Sequence, residues 1–325
     1  MPLTLRRGTV TAVHAPEGAL VRLEVDGIAC VAYPALTGPV EVGDDVLVNV
    51  QARELGLGSG GFDVLHANLT RGLELPRPGD AHVMKLPYTP LQHAVRHVEE
   101  DGPLAEGLGG LPVVCRSLHS QVLPVLAGLG GGLDVVYVQL PGGALPVDLS
   151  DAVRGAGLAA RVAVGACVGG DAAAVSVAAA LAWAAARGAG AVVCAIGPGI
   201  VGTGSALGHG GVAAAEAANA AAALGGRAVL AVRASEGDAR ERHRGVSHHT
   251  RAVLRLCLGD VVAAWPAGRA APGWLAPAVR EVDTSGWREA CGRLPLSHMG
   301  RGADEDGLFF ETAYAAGVLA RDLRG

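Results

Sequence analysis

The sequence almost lacks lysine: Lys85 is the only one, and the remaining members of the 26 basic residues are arginines. A Walker-type phosphate loop requires a Gly-Lys-Ser/Thr step, so this chain cannot contain one. Charged residues make up only 18% of the chain, and its formal net charge is -5. This balance indicates neither a disordered charged tail nor a general nucleic-acid binder.

The sequence also lacks a strongly apolar run of membrane-spanning length and any CxxC pair. Its most apolar stretch, residues 172–186, is mostly alanine, which favours a buried helix over a membrane span of about 20 residues. No apolar segment follows Arg6 and Arg7, so we expect no secretory signal. Most of the six cysteines lie in apolar runs, which predicts buried thiols in a reducing cytoplasm.

Residues 1–74 consist of short β-branched or apolar runs between turn signals, which predicts an all-β domain. Asp26-Gly27 is typical of a two-residue hairpin, because a type I′ turn requires positive φ at both positions. Five strands in so few residues indicate a small barrel or a curled sheet. The predicted strands are residues 8–13, 19–25, 28–33, 45–50 and 62–66.

From residue 81 onward, near-continuous apolar runs alternate with stretches of helical length. The runs are residues 112–115, 135–139, 162–165, 191–196, 228–232 and 261–265. This alternation is typical of a parallel sheet with helices on both faces. We therefore predict an α/β fold: a three-layer domain with a mostly parallel sheet at residues 81–325, after a small barrel-like domain and a linker at residues 71–80.

Ligands of open parallel sheets bind beyond the carboxyl ends of the strands, so the loops there are the candidate site. Arg116 follows the first run, Asp171 ends the loop after the third, and Arg233 follows the fifth. Polar residues and glycines are common in such loops even without a function. The loops therefore indicate where a site would lie, not what it does.

The loop after the fourth run, residues 197–205, has three interpretations that the sequence leaves open. Its glycines have the spacing of a dinucleotide fingerprint, although the helix begins only near Gly210, and Arg233 after the next strand would suit the 2′-phosphate of NADP. Alternatively, its N–H groups form an anion seat, or small residues permit a tight crossover. The predicted ligand contacts in this loop are Gly197, Gly199, Gly202 and Thr203.

The densest polar segment is residues 238–250. Ser247 has the position of an N-cap, which places His248 and His249 in the first helical turn. The helix dipole disfavours imidazolium there and leaves neutral rings suited to base or electrophile work. His243, His248 and Asp238 are an alternative set of metal ligands, although their spacing matches no metal-site signature. Nearby arginines favour an anionic ligand over a merely solvated loop.

Several long motifs stand out in the chain: residues 55–61, 164–171, 197–204 with Leu207-Gly208, 240–250 and 299–301. With these motifs the chain resembles a bacterial family known only as domain of unknown function 3866. The resemblance covers most of the length. Because this family has no established activity, the resemblance implies no cofactor and no catalytic residue.

Two classes of function are consistent with these features. The first is a soluble cytoplasmic enzyme that acts on a phosphorylated or carboxylated small metabolite at the carboxyl edge of the sheet. There His248 is the general base, Asp238 orients an imidazole and Asp171 assists proton transfer. Besides the glycine loop, the anion is held by Arg233, Arg242, His249, Arg116 and Arg301.

The second class is a non-catalytic ligand-sensing or scaffold protein, in which the β domain contacts a partner or forms a homodimer. An NADP-binding oxidoreductase is a further alternative. We expect a small anionic ligand as the partner, with no nucleic acid and no membrane, and the sequence identifies no particular cofactor.

Overall fold

The computed structural model describes residues 3–56, 60–75 and 79–324. The chain divides into two compact units, an N-terminal unit up to Arg96 and a C-terminal unit from His97 onward. Residues 81–96, which the sequence predicts to be part of the second domain, are thus grouped with the first. The predicted linker (71–80) and the glycine motif at 55–61 fall partly outside the described residues.

Five strands of the N-terminal unit close into a barrel, as predicted. In chain order they are β1 (Leu5–Val13), β2 (Val21–Val25), β3 (Ile28–Ala32), β4 (Asp45–Asn49) and β5 (Asp63–Asn68), with short helices α1 (Pro34–Thr37) and α2 (Gln51–Glu54). The spatial order is β1-β2-β3-β5-β4, and β4 pairs back with β1. A further hairpin joins β6 (Val83–Lys85) and β7 (His93–Val95).

Local sequence explains the barrel well. Alternate residues of β2 and β4 are buried, and Val25 and Val46 belong to the barrel core. Asp26 and Gly27 have φ values of 51° and 76°, which confirms the predicted hairpin between β2 and β3. Each predicted strand lies within three residues of an observed one because these signals are local.

The C-terminal unit is built around an eight-stranded, all-parallel sheet, which confirms the predicted α/β architecture. Its strands, in chain order, are β8 (Pro112–Arg116), β9 (Val135–Leu140), β10 (Ala160–Val164), β11 (Ala172–Ala174), β12 (Ala191–Ile196), β13 (Arg227–Ala231), β16 (Val261–Pro266) and β17 (Val279–Val282). Between β13 and β16 the chain forms a separate small hairpin of β14 (Ala234–Ser235) and β15 (Gly245–Val246). The spatial order is β11-β10-β9-β12-β8-β13-β16-β17. All six apolar runs form strands.

Helices cover both faces of this sheet. They are α3 (Val122–Leu129), α4 (Asp151–Arg154), α5 (Val177–Ala186), α6 (Ala213–Ala223), α7 (His248–Leu256), α8 (Trp287–Cys291) and α9 (Gly307–Asp322). Residues of α5, α6 and α7 share a core with Val113 of β8, on what we call the first face. Residues of α3, α4 and α9 share a core with Val114, on the second face, because consecutive strand residues point to opposite sides.

Two helices on the second face approach closely because each has a glycine at the crossing. A Cβ atom at Gly128 of α3 would collide with the carbonyl oxygen of Tyr314, and one at Gly317 of α9 would collide with that of Val125. The glycines therefore permit backbone contact between α3 and α9 that no other residue allows.

The connections create a crevice at the carboxyl edge, where the parallel strands end. β8 leads into α3 on the second face, whereas its neighbours β12 and β13 lead into α6 and α7 on the first face. Loops that diverge to opposite faces leave a gap between them, which is where ligands of such sheets bind.

Two further sequence predictions concern membranes and cysteines. Within the described ranges, none of the helices has both the length and the apolar character needed to cross a bilayer. All six cysteines are free thiols, and burial raises the pKa of Cys115, Cys194 and Cys30 above the usual range. The predicted helix at residues 172–186 begins later than expected, since its first three alanines form β11.

Candidate functional site

The loop after β12 folds back on itself and delivers a histidine to the carboxyl edge. Gly202 forms a β-bridge with His209, and the N–H of Thr203 donates to the carbonyl of Gly208 over 2.7 Å. A Cβ at Gly202 would approach the Cβ of His209 to 2.9 Å, so the fold-back depends on this glycine. His209 is buried just before α6.

The start of α7 delivers two more histidines. The hydroxyl of Ser247 accepts a hydrogen bond from the N–H of His249, which confirms the predicted N-cap and places His248 and His249 in the first turn. His249 is buried and His248 is half-buried.

Three imidazoles from these two elements meet in what we call the imidazole cluster, formed by His209, His248 and His249. The rings of His209 and His249 stack with their centroids 3.7 Å apart. The His248 ring meets that of His249 edge-on at 4.4 Å and that of His209 at 5.6 Å. A fourth ring, His243, lies 4.9 Å from His248 and 5.0 Å from His249.

One nitrogen of the imidazole cluster, Nε2 of His248, is buried and has no partner within the described part of the chain. Buried polar atoms are normally paired, so unpaired ones at the end of a sheet point to a water or ligand that they would bind.

All four imidazoles are uncharged at neutral pH. Desolvation is the largest cause and lowers the pKa of His249 to about 2 and that of His243 to about 3, with the nearby charge of Arg233 acting in the same direction. Desolvation also lowers the pKa of His248 and His209. The cluster therefore consists of neutral rings, and burial and neighbouring charges account for this state at His248 and His249.

Two arginines fix the tautomers of two rings. Nη1 of the buried Arg233 lies 2.8 Å from Nδ1 of His249, and a guanidinium can only donate. His249 must therefore carry its proton on Nε2. Nε of Arg242 donates to Nε2 of His243 over 3.4 Å, which leaves Nδ1–H of His243 facing the Ser247 hydroxyl at 2.8 Å.

Asp238 neutralises arginines rather than orienting an imidazole. Its buried carboxylate accepts from Nε and Nη2 of Arg240 and lies 3.6 Å from Nη2 of Arg301 and 4.0 Å from Arg233. The bonds from Arg240 hold the pKa of Asp238 far below its usual range. Arg301 also pairs with Asp306 at 3.2 Å. Among the described residues no imidazole forms a hydrogen bond with Asp238.

The imidazole cluster resembles a metal site in that three histidines offer ring nitrogens close to one another. Its three ligand atoms lie within 4.8 Å of one another, and this set replaces the predicted set of His243, His248 and Asp238. Tetrahedral zinc, with Zn–N of about 2.0–2.1 Å, requires ligand nitrogens only about 3.4 Å apart. A ligating histidine also normally donates its second N–H to an acceptor, whereas Nδ1 of His249 faces a guanidinium. His249 as arranged therefore lacks the acceptor that a ligating histidine normally has.

Asp171 lies away from the cluster, at the amino side of the sheet. It directly precedes β11, and its carboxylate binds Arg161 near the start of β10, with Nη2 of Arg161 at 2.6 Å. The loop after β10 thus runs back along the sheet instead of staying at the carboxyl edge.

Arg116 and the first two glycines of the 197–205 loop are also outside the imidazole cluster. Arg116 is buried over the ring of Tyr137, a residue of the second face. A Cβ at Gly197 would collide with the Leu145 carbonyl, and the carbonyl of Gly199 accepts from the N–H of Ala144 over 2.7 Å.

These contacts support the tight-crossover interpretation of the glycine loop. They do not form the strand-to-helix turn that the dinucleotide interpretation requires, because α6 begins only at Ala213. The hydroxyl of Thr203 bonds within its own exposed loop, with the Gly208 carbonyl at 3.2 Å.

His209 is the site residue that sequence reasoning missed. It stands in Gly208-His209-Gly210, and a polar ring between glycines near a predicted helix start was the available signal. That signal could not show which strand ends are neighbours, and hence that His209 would meet His248.

The family model described as "Protein of unknown function (DUF3866)" matches residues 29–317 of the chain. No curated protein matches the chain.

Proposed function

We propose that this chain, which belongs to the family of proteins of unknown function DUF3866, is an enzyme acting on a small metabolite that carries a phosphate or a carboxylate. The imidazole cluster and Arg233 would form its acid–base and anion-binding centre. The family supplies no activity, so the proposal rests on the chemistry of this cluster.

The observation that carries the proposal is that neutral imidazoles and a charged guanidinium lie together with buried nitrogens that lack partners. Nε2 of His248 and Nε of Arg233 are buried and have no partner among the described residues. A neutral imidazole is a base at physiological pH, and an unpaired guanidinium N–H is a donor for an oxyanion. The crevice between diverging loops is also where a parallel sheet binds its ligands.

In this scheme His248, His249 and Arg233 have separate roles. Nε2 of the half-buried His248 accepts a proton from the substrate, and Nε2–H of His249 donates a hydrogen bond to the oxygen on which charge develops. Arg233, together with the exposed Arg242, attracts the anionic group. Asp238 keeps the surrounding arginines in place, and Asp171 has no role.

The buried free thiols support a cytoplasmic location, where thiols stay reduced. The proposal therefore concerns soluble metabolites of a bacterial cytoplasm.

The test begins with thermal unfolding of the purified chain in the presence of sugar phosphates, nucleotides and dicarboxylates. A ligand at 100 times its Kd stabilises the folded state by about 2.7 kcal/mol. Compounds that bind are then followed by NMR for conversion. His248→Ala should abolish conversion without unfolding the protein, since a general base contributes about 10²–10⁴-fold. His14→Ala, at an exposed histidine of the barrel, is the matched control.

Four outcomes separate the alternatives. Full conversion by His248→Ala rejects the base assignment, and binding without conversion by the wild type supports a ligand-sensing protein instead. Stabilisation by Zn²⁺ or Co²⁺, lost in His209→Ala, would overturn the metal-free scheme. A shift with NADP alone would favour the oxidoreductase alternative.

A further inference from the structure

Arg116 is a fully buried arginine at the end of β8, a strand near the centre of the sheet. Its accessible fraction is 0%. In the sheet register, Arg116 of β8, Ala195 of β12 and Gln139 of β9 lie side by side at the carboxyl edge. Val114 of β8 and Tyr137 of β9 point to the second face. Arg116 and Gln139 are each two residues further along the same strand, so their side chains point to that face as well.

Only part of this guanidinium is satisfied. Nη1 donates to the carbonyl of His119 over 3.3 Å, whereas Nε and Nη2 have no partner among the described residues. These two nitrogens are on the same edge of the guanidinium, where their N–H bonds point in nearly the same direction. That edge is the fork that binds both oxygens of a carboxylate or phosphate.

The same chain shows what normally occupies this fork. In five other arginines, Nε and Nη2 both donate to the carboxylate of one aspartate. The pairs are Arg7 with Asp45, Arg53 with Asp63, Arg71 with Asp44, Arg161 with Asp171 and Arg240 with Asp238. All five of these arginines are less buried than Arg116.

Arg116 has no such carboxylate. Within residues 3–56, 60–75 and 79–324, no Asp or Glu forms an ion pair with it, and its guanidinium carbon lies over the neutral ring of Tyr137, 5.9 Å from the ring centroid. Desolvation lowers the pKa of Arg116 to about 10, which still leaves it charged at neutral pH. A buried charge without a counter-ion is strongly destabilising, so the fold requires another source of compensation.

We propose that the Nε/Nη2 fork of Arg116 binds the oxyanion group, a carboxylate or a phosphate, of a small ligand. This second anion site lies on the second face of the sheet and is distinct from the imidazole cluster, whose rings stand at the starts of α6 and α7 on the first face. It goes beyond the proposed function and does not depend on it.

A cavity of about 180 Å³ lies at the carboxyl end of β9. It is lined by Gln139, by residues 141–146 and by residues 166–168. Gln139 forms part of its wall and accepts from the hydroxyl of Tyr137 over 3.5 Å. In the register only Ala195 stands between Arg116 and Gln139, so the proposed ligand would extend from this cavity towards the fork.

The experiment compares thermal unfolding of the whole chain in sodium phosphate, sodium acetate and sodium chloride at equal ionic strength. Chloride is the control for ionic strength, because it lacks the two oxygens that could each accept one N–H bond of the fork. For the wild type, phosphate or acetate should raise Tm above its value in chloride, and the more effective anion identifies the ligand's charged group.

Two substitutions test whether the increase in Tm depends on the fork of Arg116. Arg116→Met should lose the specific increase, and in chloride it should melt at or above the wild type because an unpaired buried charge is gone. Arg116→Lys keeps the charge without the fork and should raise the Kd of the effective anion about tenfold or more. If Arg116→Met does not fold, the ¹⁵N-NMR signal of the wild-type Arg116 Nε–H provides the same test, since it should shift with the anion.

The remaining outcomes are decisive against the inference. Absence of any specific increase in the wild type, or an equal increase in Arg116→Met, means that buried water rather than an oxyanion satisfies the fork. Loss of the increase in Arg233→Met but not in Arg116→Met places the anion at the imidazole cluster, which refutes this inference and supports the proposed function. Loss of the increase in Arg116→Met but not in Arg233→Met supports this inference and leaves the proposed function to its own test.

Discussion

Nη1 of Arg233 lies 2.8 Å from Nδ1 of His249, and both side chains are buried. This contact decides how the imidazole cluster can work. It places the proton of His249 on Nε2, adds a positive charge that disfavours imidazolium, and occupies the nitrogen at which a metal-binding histidine would meet an acceptor. The cluster is therefore better suited to anions and protons than to a cation.

Arg233→Met should raise the pKa of His249. The charge of Arg233 lowers this pKa, but desolvation is the larger cause, so the new value should stay below the ordinary 6.5. Long-range ¹H–¹⁵N NMR over a pH series reports both the pKa and the tautomer. Arg255→Met, at an exposed arginine of the same helix, is the control and should change neither. A wild-type His249 protonated on Nδ1 would contradict the assignment.

Asp238→Asn should destabilise the protein by about 3–5 kcal/mol, the typical effect of removing one partner of a buried ion pair. The carboxylate is 2% exposed and compensates Arg240 and Arg301. Urea unfolding measures the loss. Glu236→Gln is the matched control: its exposed pair with Arg269 at 3.0 Å should contribute about 1 kcal/mol or less. Similar losses in both variants would refute the importance of burial.

His298 should make stability depend on pH. Its ring stacks on Phe309 at 3.8 Å, and desolvation, aided by Arg233 and Arg301, lowers its pKa from 6.5 to about 4. The unfolded chain therefore binds this proton more readily than the folded one. The stabilisation is complete above pH 6.5 and decreases as the pH falls towards 4.

His298→Gln removes that titration, so its free energy of unfolding should fall less steeply on acidification. The difference in slope from the wild type should approach about 1.4 kcal/mol per pH unit within this window. Urea unfolding at a series of pH values measures it, with His14→Gln as the exposed control. Parallel profiles for wild type and His298→Gln would show that the ring titrates normally.

Gly128→Ala should destabilise the protein by about 1–3 kcal/mol, because the added methyl group forces α3 away from α9. Alanine's higher helix propensity offsets part of this loss. Gly131→Ala is the control, since nothing lies within 4 Å of a Cβ built there. Chemical denaturation compares the two. If Gly128→Ala leaves the free energy of unfolding unchanged, the two helices separate without cost.

Local chemistry explains why the architecture could be predicted. Asp26-Gly27 fixes a hairpin because of the φ values that it allows, and Ser247 begins α7 because its hydroxyl accepts from a nearby N–H. Continuous apolar runs become parallel strands because both faces of the sheet are covered. β11 was missed because three alanines in an alanine-rich stretch favour a helix, and only pairing with β10 makes them a strand.

The sequence by itself determined a barrel followed by a covered parallel sheet, and it identified His248, His249 and Arg233 as residues near a strand end. Only the tertiary structure decided that His209 joins them, that Asp171 lies at the opposite edge, and that Arg116 faces the other side of the sheet. Turns, caps and apolar runs depend on neighbouring residues. Which strands pair, and to which face each connection crosses, depends on contacts between residues far apart in the chain, and these place the site.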